Sequence, residues 1–322
     1  MTARTPPASA DWCAGIAVRH GDRRTAAWPA PFVLASALFS AATALASPPA
    51  RNATLPAVSP DGQRIVYASE RDSLPELYVY EFATGLSRRL TYSSANEGPP
   101  AWADSGRSIV YTLARGDSTT LQSLPFGFGV ASTRLTLPAK SIRLAHDGTR
   151  VAYTWGSWTR NRLVVANRDG SRANAITDSA SAWYNLAWSP DDSLIAATRN
   201  DSSGSFQIWL IRADARGKRQ LVKLGDELGH PQWPAWSPDG RTIAFQAGTY
   251  VRAAPEKSDA YVCTVDVATG KVKRLREHPV PMLDETPCWL DGEHIVFQST
   301  QSGAFELWVM RADGSEAKRL TR

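Results

Sequence analysis

Cysteine is scarce in this chain of 322 residues: Cys13, Cys263 and Cys288 are the only three, and no two share a Cys-x-x-Cys spacing. That excludes a disulfide-stapled scaffold and a thiolate zinc site. There is no Gly-x-Ser-x-Gly string of the kind that carries a hydrolase serine. Helical periodicity is absent after residue 50, which argues against a helical fold. An excess of one charge is missing too. Residues 1–46 hold four Arg and two Asp, leaving 32 basic against 29 acidic residues, too even a balance to favour nucleic acid. Present instead are 12 Trp, 22 Gly and 21 Pro, with 43% hydrophobic residues. That composition fits a sizeable core crossed by many turns.

One apolar run stands apart. Pro31 to Ala46 carries no charge, follows Arg19, Arg23 and Arg24, and ends in Ala44-Leu45-Ala46. At about 16 residues it is short for a membrane span, which needs roughly 20, and it has the shape of an export signal cleaved after Ala46. The Arg23-Arg24 pair invites a twin-arginine reading, although Asp22 precedes it. A start near Val18 would give a leader of ordinary proportions. Residues 1–46 are therefore expected to be a targeting segment, 47–52 a linker, and 53–322 the folded part. A periplasmic or secreted product with no membrane span after processing is the expectation.

The folded part is one pattern written six times. Trp236-Ser237-Pro238-Asp239-Gly240 leads into Thr242-Ile243-Ala244-Phe245, as Val58-Ser59-Pro60-Asp61-Gly62 leads into Arg64-Ile65-Val66-Tyr67. The turn anchors are Asp61, Ser105, Asp147, Asp191, Asp239 and Asp291, spaced 44, 42, 44, 48 and 52 residues apart. That is the period of a four-stranded propeller blade. Each copy continues with a third strand such as Leu307-Trp308-Val309-Met310, a Gly-containing turn, and a closing Arg-Leu-Thr. Blades are expected near 53–91, 97–136, 140–177, 183–222, 229–275 and 284–321. The slot residues Trp102, Trp188, Trp236 and Trp289 read as core between blades. Each blade comes from one contiguous stretch, so blade one should meet blade six by side-chain packing or a short pairing from Arg51–Leu55.

These motifs resemble the WD40-like repeats of the TolB propeller family, and also those of the propellers of prolyl oligopeptidase-type peptidases. The resemblance covers residues 53–322 and implies an all-β, six-bladed β-propeller of four-stranded blades. TolB has an α/β domain before its propeller and the peptidases have a hydrolase domain, and the sequence given has room for neither. A propeller alone is the expectation. The repeat is specific for fold and poor for function, since one propeller hosts many activities.

Function is sought where the copies differ. Aligned on the Trp slot, the segments leading into each first strand are Ala53–Pro56, Glu97–Pro100, Ala139–Ile142, Trp183–Leu186, Pro231–Pro234 and Asp284–Pro287. They are released from the repeat, so a site can be built on them. The candidate binding residues at one mouth of the channel are Glu97, Lys140, Trp183, Tyr184, His230, Gln232, Trp233, Asp284 and Glu285. Trp183, Tyr184 and Trp233 would be apolar anchors for a protein or peptide partner. Glu97, Asp284 and Glu285 would draw a basic segment or a cation. The leading expectation is a monomeric interaction scaffold of the cell envelope or a transport complex, with no catalytic residue, metal or cofactor. The alternative is a small propeller hydrolase or lyase using a divalent ion, calcium by its oxygen ligands, at the mouth. Cys263 and Cys288, on different blades, should be free thiols.

Overall fold

A computed structural model describes residues 52–322, apart from residues 73, 94, 116–117, 128, 130, 138, 202–203, 226–228 and 250–256; for 115, 118, 133, 134 and 140 it describes the backbone alone. The expected targeting segment, 1–46, lies outside the described residues.

Six antiparallel four-stranded sheets follow one another along the chain. The first contains β1 (Thr54–Val58), β2 (Arg64–Ser69), β3 (Glu76–Glu81) and β4 (Leu86–Arg89); the second β5 (Ala101–Ala103), β6 (Ser108–Arg115), β7 (Ser118–Pro125) and β8 (Ser132–Leu137). The third contains β9 (Ala139–Leu144), β10 (Arg150–Gly156), β11 (Asn161–Asn167) and β12 (Asn174–Ala175); the fourth β13 (Ala182–Trp188), β14 (Leu194–Asn200), β15 (Phe206–Arg212) and β16 (Lys218–Lys223). The fifth contains β17 (Gln232–Trp236), β18 (Thr242–Thr249), β19 (Asp259–Asp266) and β20 (Val272–Arg274); the sixth β21 (Asp284–Trp289), β22 (His294–Ser299), β23 (Glu306–Arg311) and β24 (Lys318–Arg319). The protein is an all-β, six-bladed propeller.

Local chemistry builds each blade. In Ser-Pro-Asp-Gly the Ser hydroxyl donates to the Asp carboxylate, at 2.5 Å in Ser59–Asp61 and 2.6 Å in Ser189–Asp191 and Ser237–Asp239. The same oxygen accepts the N–H that starts the second strand, from Arg64, Leu194 or Thr242, at 2.9 to 3.0 Å. Gly62 and Gly240 take the positive φ, 68° and 70°, that closes the turn. Replacing Ser237 by Ala removes both bonds and should cost about 1 kcal/mol in a urea melt. The fourth copy has Asp192 in place of Gly, at φ 54°. Its carboxylate accepts the N–H groups of His146 and Asp147 in blade three, at 3.0 and 2.8 Å, so this departure ties two blades together.

The core lies between blades. Six apolar clusters each join one pair of neighbouring sheets, and the sixth sheet packs on the first through Val296, Leu307 and Val309 against Ile65, Tyr67 and Tyr78. The slot indoles add a directional bond across four of the six seams. Trp102 Nε1 donates to the Ala57 carbonyl at 3.0 Å, and Trp188, Trp236 and Trp289 donate to the carbonyls of Arg143, Ala187 and Ala235 at 3.2 Å. Every acceptor is the residue before the slot in the preceding blade. Of these indoles only Trp188 is buried outright; Trp102, Trp236 and Trp289 are half-buried. They are seam residues more than core.

Closure needs no shared strand, since every sheet is contiguous in sequence. Blade one meets blade six by packing, by Ala53 N–H donating to the Phe305 carbonyl at 3.0 Å, and by Asn52 Nδ2 donating to Glu306 at 2.9 Å. The outer edges are guarded by charge. β4, β16, β20 and β24 carry nine Lys or Arg and no Asp or Glu, which resists pairing with another chain. Cys263 and Cys288 are free, and burial pushes both thiols up to about 12.

Candidate functional site

The first strands β1, β9, β13, β17 and β21 are each broken by a register shift against the second strand of their own blade. In four of them the residue three before the slot sits in the left-handed region: Leu55 at φ 54°, Asn185 at 48°, Trp233 at 53° and Thr286 at 45°. None is glycine. At Leu55, Trp233 and the β-branched Thr286 a left-handed conformation is costly, so packing must hold it, whereas Asn185 tolerates it. A bulge inserts one residue and re-aims its neighbours. The lead-in segments therefore do not simply alternate in and out.

The residue at the first position of each segment is buried in every blade: Ala53, Glu97, Ala139, Trp183, Pro231 and Asp284. The second position is nearly so, with Tyr184 at 6%, Gln232 at 7% and Glu285 at 9% exposure. The third position is the open one in five blades, with Leu55, Asn185 and Trp233 half-buried, as are Pro99 and Ser141, while Thr286 is buried. This corrects the expected mouth. Trp183, 1% exposed, is not an anchor at the rim; it packs with Leu163, Trp188 and Ile195 and meets Trp209 edge-on at 6.3 Å. Tyr184 turns its hydroxyl onto the Trp158 carbonyl. Lys140 lies on β9, and its side chain is outside the described set. His230 is half-buried edge-on to Phe206 at 5.0 Å, with its N–H on the Gly248 carbonyl. Of the three aromatic anchors expected, Trp233 alone keeps exposed surface.

The three carboxylates do not form an acidic rim either. Glu97 accepts a bond from Thr91 Oγ1 at 2.6 Å, beneath the crossover from blade one to blade two. Burial is the main cause that pushes its carboxyl up to about 7, with Glu76 nearby adding repulsion and Thr91 opposing. An acid whose folded pKa is raised holds its proton where the unfolded chain has lost it, so stability falls as pH rises from about 4.5 to 7. Glu97→Gln should flatten that slope and stabilise the protein by about 2 kcal/mol above pH 7, measured by urea unfolding across pH. Glu285 accepts from Gln298 Nε2 at 2.8 Å. Asp284 is fully buried, and neither oxygen closes a hydrogen bond of normal geometry. Its neighbours are Arg276 Nε at 3.6 Å and His278 Nε2 at 3.8 Å. Burial pushes the Asp284 carboxyl up, and Ser299, Arg276 and His278 oppose that. Sequence reasoning passed over Arg276 and His278, because the crossover carrying them looked like a plain loop. Among the described residues no group of three or more His, Cys, Asp or Glu is placed to hold a metal ion.

Gln246 and Gln298 fix the bulges of blades six and one. Gln298 Oε1 accepts the Leu55 N–H of blade one at 3.0 Å and the Thr286 hydroxyl at 2.8 Å. Gln246 Oε1 accepts the Thr286 N–H of blade six at 3.2 Å. Each glutamine thus reaches from the second strand of one blade to the bulge of the next. The corresponding residues of blades three and four are Thr154 and Thr198, whose buried hydroxyls have no partner.

Residues 142–322 match the TolB beta propeller domain, and residues 34–210 match the Lipoprotein LpqB beta-propeller domain. The chain belongs to the TolB β-propeller family. It is 32% identical over 328 aligned residues to dipeptidyl-peptidase 5 of Porphyromonas gingivalis, covering 83% of this chain and 47% of that protein. To the TolB homolog of Chlorobium luteolum it is 29% identical over 214 residues, covering 66% and 46%. The chain thus spans about half the length of the curated relatives it matches. Among solved structures, TolB from Acinetobacter baumannii shares the fold with a TM-score of 0.63 at 19% identity, over 79% of this chain and 62% of that one. A TolB-like propeller is therefore the scaffold on which the bulged lead-ins stand. No helix among the described residues is long and apolar enough to cross a membrane.

Proposed function

We propose that this TolB-like propeller is exported, acts in the periplasm, and binds an extended protein segment at the bulged ends of its first strands. The observation that carries the reading is the set of strained, open positions. Leu55, Asn185 and Trp233 occupy one place in the repeat, differ in chemistry, and hold left-handed backbone, which Leu55 and Trp233 do not favour. Asn185 Oδ1 is buried without a hydrogen-bond partner, so it can accept from a peptide N–H. Trp233, at the same place in the following blade, offers a half-buried indole as an apolar contact. The apolar run Pro31–Ala46 after Arg23-Arg24 supports export. A monomer in a cell-envelope or transport complex is the state this reading favours.

The test is photo-crosslinking in cells from a reactive side chain at position 233, with position 86 on the opposite end as control. A discrete adduct from 233, lost when Asn185→Ala is added, is the expected result. Equal adducts from both positions, or none from 233, would overturn the reading.

A further inference from the structure

The exposed apolar side chains of this disc are unevenly placed. Strand order puts the second-to-third-strand loops and the blade-to-blade crossovers at one end of every blade. Among the described residues six large hydrophobics are exposed: Leu74, Leu86, Tyr92, Trp155, Trp158 and Val280. Leu74, Trp155 and Trp158 lie at or in second-to-third-strand loops, and Tyr92 and Val280 lie in crossovers, so only Leu86 is at the other end. They come from blades one and three and from the crossovers after blades one and five. No single groove collects them; a flat surface could meet them all.

The β10–β11 hairpin is the built part of this face. Residues 155–160 are all exposed, Trp155 at 51% and Trp158 at 40%. Trp155 pairs across the strands with Arg162, whose guanidinium lies 5.6 Å from the indole centroid. From Arg150 to Arg168 the chain has four Arg and no Asp or Glu, and Arg160 and Arg162 are the two at the tip. The tip is held stiffly. Ser157 N–H donates to the Arg160 carbonyl at 2.9 Å, and Ser157 Oγ accepts the Arg160 N–H at 3.0 Å. Asn161, itself buried, donates to the Ser157 carbonyl at 3.2 Å and accepts the Trp183 N–H at 2.9 Å. With Tyr184 bonded to the Trp158 carbonyl, blade four buttresses the hairpin. A tip already ordered loses little freedom on binding.

We propose that the Trp155–Arg162 hairpin is an interfacial anchor that seats this end of the propeller on an anionic phospholipid surface. A convex tip has no pocket for a small ligand, whereas a bilayer interface yields around it. Indoles favour the headgroup boundary, where the ring is in an apolar layer and the N–H is wet. Arg160 and Arg162 supply charge complementary to anionic lipid, each adding roughly five-fold in affinity near the surface. Such an anchor is reversible and salt-sensitive. It rests on the hairpin's own geometry, which lies at the same end of the blades as the first-strand lead-ins.

The test uses the full chain and vesicles of phosphatidylcholine, with and without about one-third phosphatidylglycerol. Hydroxyl-radical footprinting should show Trp155 and Trp158 protected by the anionic vesicles and Leu86 unchanged. Trp155→Ala with Trp158→Ala should weaken co-sedimentation by at least about ten-fold. Arg160→Glu with Arg162→Glu should abolish the preference for anionic lipid. Because Trp155, Trp158 and Arg160 are exposed and Arg162 is half-buried, the melting temperature should stay near that of the parent. No binding, binding that leaves Trp155 and Trp158 as reactive as before, or binding unaltered in both variants would overturn the proposal. Protection by polyglutamate but not by vesicles would overturn it in favour of an acidic protein segment.

Discussion

Replacing Trp183 by Ala should lower the unfolding free energy by about 3–5 kcal/mol, the range for emptying a large aromatic site in a core. Trp183 is the largest fully buried side chain among the described residues. It joins Leu163 and Val165 of blade three to Ile195 and Ile211 of blade four, with Trp209 edge-on. The cavity would open at a seam, where neither sheet can collapse without shifting its neighbour. One feature moderates the loss: the indole N–H is buried without a partner, so deleting it relieves a small desolvation penalty. Urea unfolding measures the change. The same variant should disturb the β10–β11 hairpin little, because Asn161 bonds the Trp183 main chain and not its ring. A loss below about 1 kcal/mol would mean that the indole is a rim residue after all.

Gln298→Leu should cost about 3–5 kcal/mol, although the two side chains are similar in size. The change strands the Leu55 N–H, the Thr286 hydroxyl and the Glu285 carboxylate together, each worth about 1–3 kcal/mol when left unpaired in a buried place. Leu55 belongs to blade one and the other two to blade six, so the damage falls on the seam that closes the ring. Gln246→Leu, which strands the Thr286 N–H at an interior seam, should cost about 1–2 kcal/mol. Denaturant melts of both variants give the comparison. Equal losses would show that the closing seam is held no differently from the others.

pH should act on stability from two sides. Asp61, Asp191 and Asp239 are held below the usual carboxylate range, chiefly by the Ser hydroxyls of their own turns. Their contribution is present at neutral pH and is lost as pH falls through their folded pKa values. Glu97 works the other way, against the native state as pH rises toward 7. A stability maximum on the mildly acidic side follows, and Glu97→Gln should broaden it toward neutral pH.

The blades were legible in the residues because their chemistry is local. Ser, Pro, Asp and Gly in order make a turn wherever they stand, and the motif, complete at Ser59–Gly62 and Ser237–Gly240 and varied in the other four copies, recurs about every 45 residues and places six blades. The seam role of the Trp slot was legible for the same reason, through repetition. The lead-in segments were in register on the page of sequence, and their departure from the repeat was visible. Which side chain in each segment faces outward was not. Alternation would have decided it in a regular strand, but a bulge breaks alternation, and those at Leu55 and Thr286 are held by Gln298 and Gln246 from neighbouring blades. Trp183 and Tyr184 were therefore read as a mouth and are a wall and a buttress. Trp155 and Trp158, outside the repeat slot, gained meaning only when the fold brought Asn161 against Trp183 and Tyr184 against Trp158. Sequence determined the repeat, the turn chemistry and the ring. Tertiary structure decided burial at the lead-ins, because partners in a neighbouring blade, 40 positions away in the chain at Thr286–Gln246 and 243 at Leu55–Gln298, bond the backbone there.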